Sequence, residues 1–277
     1  MINFIAQLFG AVIRFIYNLV GQNYGLSIIL FTVFTKVILF PITYKQSKSM
    51  NEMNKIAPLE KEIREKYKGN KEKMSEELMK MYNEHKVNPM GGCLPLLIQI
   101  PIIFAMFYIV RQPLTYILQV PHDELKEYTQ EYLQKGEEEE ITDNEIRSYE
   151  IQIADKYELL NMKFLGINFG DVPANAFSKD TEQKASYYSL IVPVLSLVFS
   201  ILQTLQSQKS SNMTDEQKSQ QKSMTIMMPL LSAYISYIMP LALGIYWLIG
   251  NVLQMLTQYI INLMLKQEKK MLIEGGK

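Results

Sequence analysis

A single cysteine, Cys93, and two histidines, His85 and His122, occur in 277 residues. That stock builds neither a disulfide framework nor a Cys/His metal centre. Neither histidine sits beside a nucleophile elbow or a similar motif, so no Ser-His-Asp arrangement is expected. ATP-binding motifs are absent too. Neither an enzyme nor a cofactor is therefore expected. The formal net charge is zero, which removes the global basic field that attracts nucleic acid. No internal repeat is visible, which argues against a transporter built from inverted repeats.

What is present is apolar material, 48% of the chain, gathered into blocks of about twenty residues. That is the length needed to cross ~30 Å of hydrocarbon at about 1.5 Å per residue. The blocks predict an all-α integral membrane protein with five transmembrane helices at 24–43, 89–111, 186–206, 223–239 and 241–265. Residues 1–23 carry Ile5, Leu8, Phe9, Val12, Ile16 and Leu19 at helical spacing, with Arg14 inside the run. They read as an amphipathic helix lying in the membrane interface; a short spanning helix is the alternative. Residues 44–88 show two charged, one-sided helical patterns around Gly69-Asn70 and predict a two-helix hairpin outside the membrane. Residues 112–185 form a long acidic segment, with the run Glu137 to Glu140, that is either partly folded or partly disordered. Its apolar island from Met162 to Phe169 is expected to touch the bilayer surface or pack locally. Residues 207–222 are a polar linker, and 266–277 a short tail. Most of the 17 methionines read as ordinary bilayer packing, although thioethers also suit surfaces that meet varied apolar partners.

Lysine and arginine placement sets the orientation. Residues 44–88 hold eleven Lys/Arg and eight acids; residues 112–185 hold seven and sixteen. The hairpin, the 207–222 linker and the tail are thus expected in the cytoplasm. The N-terminus and the acidic segment are expected outside.

Lys36 is the sharpest signal, because it lies twelve residues into the first span. A central ammonium costs about 2.5–3.5 kcal/mol even on lenient insertion scales. No Asp or Glu occurs in any of the five spans, so composition offers it no intramembrane counter-ion. A hydrated cavity is the preferred reading, and snorkelling towards headgroups near Pro41 and Lys45 is the alternative. Gln99, Gln203, Gln206, Asn251, Gln254 and Gln258 supply polar company within the spans. Asn251, Gln254 and Gln258 follow i, i+3, i+7 and share a helix face. Tyr246 and Trp247 line a groove mouth or belong to an interface belt. Prolines 41, 95, 101, 193, 229 and 240 bend helices and leave gaps.

Several stretches resemble the YidC family of membrane protein insertases: GLSIILFTVFTKVILFPIT (25–43), the charged hairpin, VNPMGGCLPLLIQIPIIFAMFY (87–108), MMPLL (227–231) and MPLALGIYWLIGNVLQMLTQ (239–258). The resemblance covers nearly the whole chain except 113–185. It implies five spans, an outside N-terminus, a cytoplasmic hairpin, and a cationic groove open to cytoplasm and lipid and closed outwards. The family's groove cation is normally arginine; Lys36 stands at the matching position, and a point charge replaces a planar fork. Gln203 and Trp247 match groove-lining positions. With no large outer β-domain and no extra leading span, the chain is similar to the short form found in Gram-positive bacteria. The implied activity is that of an insertase and chaperone in the plasma membrane. It would draw polar flanks of nascent membrane proteins into the groove and release their apolar segments into lipid. The implied partners are those nascent chains, the bilayer, the Sec translocon and the ribosome. From the residues alone, an anion-selective carrier or channel using Lys36 stays open, as does an assembly chaperone beside a translocon.

Overall fold

The computed structural model describes residues 2–88, 94–136, 138–179, 184–209 and 215–274. The Pro89–Cys93 start of the second expected span, Glu137 of the acidic run, residues 210–214 of the linker and the last three residues of the tail lie outside them. The described chain is all-α apart from one two-residue β-hairpin. In order it forms α1 (Ile2–Leu19), α2 (Tyr24–Lys66), α3 (Lys71–Glu84), α4 (Leu94–Arg111), a π-helical turn (Leu114–Leu118), α5 (His122–Leu133) and α6 (Asp143–Lys156). There follow β1 (Lys163–Phe164), β2 (Ile167–Asn168), two 3-10 turns, α7 (Ile191–Lys209), α8 (Asp215–Ile238) and α9 (Leu241–Glu274).

α2 does not stop at the edge of its apolar block. It runs unbroken for 43 residues through Pro41 and Pro58. At about 1.5 Å per residue it is ~65 Å long, twice the hydrocarbon thickness. One rod therefore carries both the apolar stretch and the first half of the charged segment. Its start is fixed by Asn23, whose side chain accepts from the Leu26 N–H at 2.8 Å, an N-cap. At its far end α3 packs back on it through Ile56, Leu78, Met81 and Tyr82, a small core of its own. Asn70 caps α3 by accepting from the Lys73 N–H.

Among the described residues, three helices are long and apolar enough to cross a membrane, within Tyr24–Lys66, Tyr187–Ser207 and Leu241–Glu268. Phe4–Leu19, Gln99–Arg111 and Ile226–Ile238 are apolar but shorter. In α8 the reason is composition: its first half, DEQKSQQKS, is polar, so the helix starts well before its apolar block. α9 is the central element, packing against α2, α4, α7 and α8. α1 packs on α2, α4 and the π turn, burying Ala6, Ile13, Ile16 and Tyr17. Its other side exposes Phe4, Leu8, Phe15 and Leu19, so apolar groups line both sides of this helix.

The acidic segment is folded over its described residues. α5 and α6 pack as a pair, and a capping box between Thr142 and Glu145 starts α6. The hairpin turns on Leu165 and Gly166, both with positive φ (52° and 77°), the backbone of a tight two-residue turn. Met162 and Phe169 from the apolar island are buried in the main core. The segment is tied to the bundle by backbone hydrogen bonds. The free N–H groups that begin α9, on Leu241 and Ala242, donate to the carbonyls of Asp171 (2.8 Å) and Phe169 (2.9 Å). Tyr24 N–H donates to Asn161 O at 3.3 Å. Gly25 lets α2 approach this closely: a Cβ there would lie 2.8 Å from Phe164 and Phe169 carbons. The segment thus caps the starts of α2 and α9 together.

Candidate functional site

The α2–α9 seam holds the strongest concentration of polar contacts between the long helices. Lys36 is half-buried, and its Nζ donates to Gln254 Oε1 at 3.1 Å. Among the described residues Lys36 makes no ion pair. A neutral amide is its partner. Further along the seam, Ser47 Oγ donates to Gln258 Oε1 at 3.3 Å, and Gln258 Nε2 donates to Asn262 Oδ1 at 3.0 Å. Beyond them the Lys48 ammonium pairs with Glu268 Oε1, and Tyr44 Oη donates to Glu268 Oε2 at 3.2 Å. Contacts therefore pass from cation–amide, through neutral hydrogen bonds, to a charged pair.

The other candidates fall around α9. Asn251 Nδ2 donates to Ser232 Oγ on α8 at 3.5 Å. The buried Tyr246 hydroxyl meets the Gln99 side chain of α4. Gln206 Nε2, on α7, donates to the Met255 carbonyl of α9 at 3.2 Å. Gln203 and Trp247 are half-buried and make no side-chain hydrogen bond among the described residues. The structure thus joins Lys36 to Gln254, Gln99 to Tyr246 and Asn251 to α8, but links neither Gln203 nor Trp247 to Lys36 by a polar contact. The shared face of Asn251, Gln254 and Gln258 is divided between two neighbours, α8 for the first and α2 for the other two.

Sequence reasoning did not single out Tyr44, Ser47, Lys48 or Glu268. A signal existed for Ser47: it lies eleven positions from Lys36, three helical turns along one face. An open apolar recess of about 540 Å³ lies elsewhere, lined by Ile226, Met227, Leu230, Leu231 and Tyr234 of α8, and contains none of the groove candidates named from the sequence. Among the described residues no group of His, Cys, Asp and Glu is placed to hold a metal ion.

Together, apolar membrane-length helices wrapped around a central α9 define a multi-pass α-helical membrane protein. Residues 15–269 match the family described as 60Kd inner membrane protein, and the chain belongs to that family. It is 31% identical over 261 residues to the membrane protein insertase YidC of Fusobacterium nucleatum, covering 89% of this chain and 97% of that one. It is 30% identical to the YidC insertase of Geobacter sulfurreducens and 32% to that of Syntrophobacter fumaroxidans, covering 90% and 87% of this chain. In those two longer relatives the matched part is 35% of the protein. The relatives support an insertase role in a bacterial inner membrane and do not favour an anion-selective carrier.

Proposed function

We propose that this protein inserts nascent membrane proteins by drawing their polar flanks along the α2–α9 seam to Lys36. Five spans, at 24–43, 89–111, 186–206, 223–239 and 241–265, cross the bilayer. The N-terminus and the acidic segment lie outside; the two-helix hairpin of 44–88 and the tail lie in the cytoplasm. The Sec translocon and the ribosome are the partners that such a role calls for.

One observation carries the reading: the deep cation Lys36 is held by a neutral amide, Gln254, rather than by a carboxylate. An amide orients the ammonium without cancelling its charge. An arriving carboxylate gains a Coulomb attraction that no resident acid already satisfies. Gln99, Gln203, Tyr246, Trp247, Asn251 and Gln254 line the path, and water fills what the side chains leave open. The barrier to insertion is dominated by desolvating the polar flank, and a wet cationic groove halfway across lowers it. The apolar stretch then passes into lipid. For acidic flanks moving outward the membrane potential adds ~2.3 kcal/mol per charge per 100 mV.

The test is Lys36→Ala and Lys36→Arg in purified protein reconstituted into vesicles, with a single-span substrate carrying an acidic flank. Arginine at the position preserves insertion and alanine reduces it at least tenfold. Undiminished insertion by the alanine variant refutes the role of Lys36.

A further inference from the structure

We infer that Lys48 is a docking cation for peptide carboxylates at the entrance of the seam, and that Glu268 is an internal placeholder displaced by the acidic flank of an incoming chain. The inference rests on the proposed reading of Lys36 and extends it to how substrate is first captured.

Glu268 is held as a bound carboxylate would be. One oxygen takes the Lys48 ammonium and the other accepts from the Tyr44 hydroxyl, so a cation and a neutral donor on α2 grip both oxygens of one group. Any Asp, Glu or terminal carboxylate presents the same two oxygens to the same two donors. The pair is accessible: the Lys48 and Glu268 side chains are 42% and 37% exposed. An ion pair this open is weak, so one carboxylate replaces another at little cost.

Position gives the exchange a direction. Lys48 lies twelve residues along α2 from Lys36, about 18 Å. Between the two cations, the described seam carries the neutral contacts of Ser47, Gln258 and Asn262. A carboxylate entering from the α3 end passes the exposed Lys55 and meets Lys48 before Lys36. It then leaves a weak exposed pairing for a cation that has no acidic partner. The resident acid returns to Lys48 once the flank has moved on, which resets the site. A pair whose purpose is to clamp α2 to α9 would behave differently, because losing either partner would then be equally harmful.

That difference is the test. Full-length protein is reconstituted into phosphatidylcholine vesicles. Insertion is measured for two versions of one single-span substrate, with aspartates or with asparagines in the translocated flank. Glu268→Gln frees Lys48 and raises the acidic-to-neutral insertion ratio about two- to fivefold. Lys48→Gln lowers the same ratio by a similar factor. The neutral substrate reports whether each variant is folded and competent. A fall for both variants on both substrates means the pair is a clamp and overturns the inference. Effects that appear only when phosphatidylglycerol is added assign Lys48 to lipid headgroups and also overturn it. Lys36→Ala, run in parallel, separates the two readings. Loss with that variant but none with the Lys48 and Glu268 variants removes the docking site alone. Opposite effects of the Lys48 and Glu268 variants beside an unaffected Lys36→Ala keep the docking site and remove the deep groove cation.

Discussion

Glu150 offers a quantitative check on how the acidic segment is held to the bundle. Its side chain is completely buried on α6 and accepts two hydrogen bonds from Thr115 in the π turn, from N at 2.9 Å and from Oγ1 at 2.6 Å. Burial pushes its carboxyl up from 4.5 to about 7, against the opposing pull of the Thr115 hydrogen bonds and the Arg147 charge. The folded state therefore holds a proton more tightly than the unfolded chain. Stability from this group is full below about 4.5 and is lost as pH rises through about 7. At about 1.36 kcal/mol per unit, the loss by pH 8 is on the order of 3 kcal/mol. Glu150→Gln removes the charge at every pH and keeps one acceptor oxygen for Thr115. Losing the second hydrogen bond costs about 1 kcal/mol. The variant is thus slightly less stable than wild type at pH 5, and about 2 kcal/mol more stable at pH 8. Amide hydrogen exchange over residues 114–118 and 143–156, compared between variant and wild type at each pH, cancels the intrinsic exchange rate. The protection ratio of variant to wild type should rise roughly a hundredfold from pH 5 to pH 8. A ratio that stays flat across that range refutes the buried-carboxylate argument.

Two further outcomes follow from single contacts. The Tyr24 hydroxyl is fully buried with no hydrogen-bond partner among the described residues, so Tyr24→Phe raises thermal stability in detergent by roughly 1 kcal/mol; a fall of that size would reveal a partner for the hydroxyl. Gln254→Glu places a carboxylate where the amide now sits 3.1 Å from the Lys36 ammonium, an attraction of about 5 kcal/mol at an effective dielectric near 20. Insertion of an aspartate-flanked substrate then falls at least tenfold while Gln254→Leu costs less, and equal effects of the two variants would contradict the need for an uncancelled cation.

The membrane class was legible because it depends on local composition, the length of the apolar blocks; Lys36 stood out in the sequence because no acid lies within those blocks. The polar face of α9 was legible as periodicity, but its division between α2 and α8 was not, because neighbours across a bundle are set by packing rather than by spacing. The continuity of α2 past Pro41 was hidden by the change from apolar to charged residues, which looks like an element boundary. Yet Lys, Glu, Gln and Met are all good helix formers, and nothing after Pro41 stops the rod. Nothing in the sequence sets Glu150 apart from the other acids in a segment of sixteen, since its burial arises only when α6 docks on Thr115. Lys48 and Glu268 are 220 positions apart, and no local pattern could join them.

The order of polar partners along the seam follows from dielectric cost. An ion pair sunk at the depth of Lys36 would desolvate two charges, and its mutual attraction would often fail to repay that penalty. A lone ammonium hydrogen-bonded to an amide desolvates one charge and leaves its field unspent. At the exposed Lys48–Glu268 pair the penalty fades, so an acid opposite a lysine costs little to keep there and little to displace. On the proposed reading, a carboxylate travelling the seam thus meets a weak, exposed competitor at the entrance and, among the described residues, no resident acid at Lys36. On that reading the gradient in available attraction points inward. It depends on Gln254 being an amide and Glu268 an acid, and exchanging those two chemistries would reverse its direction.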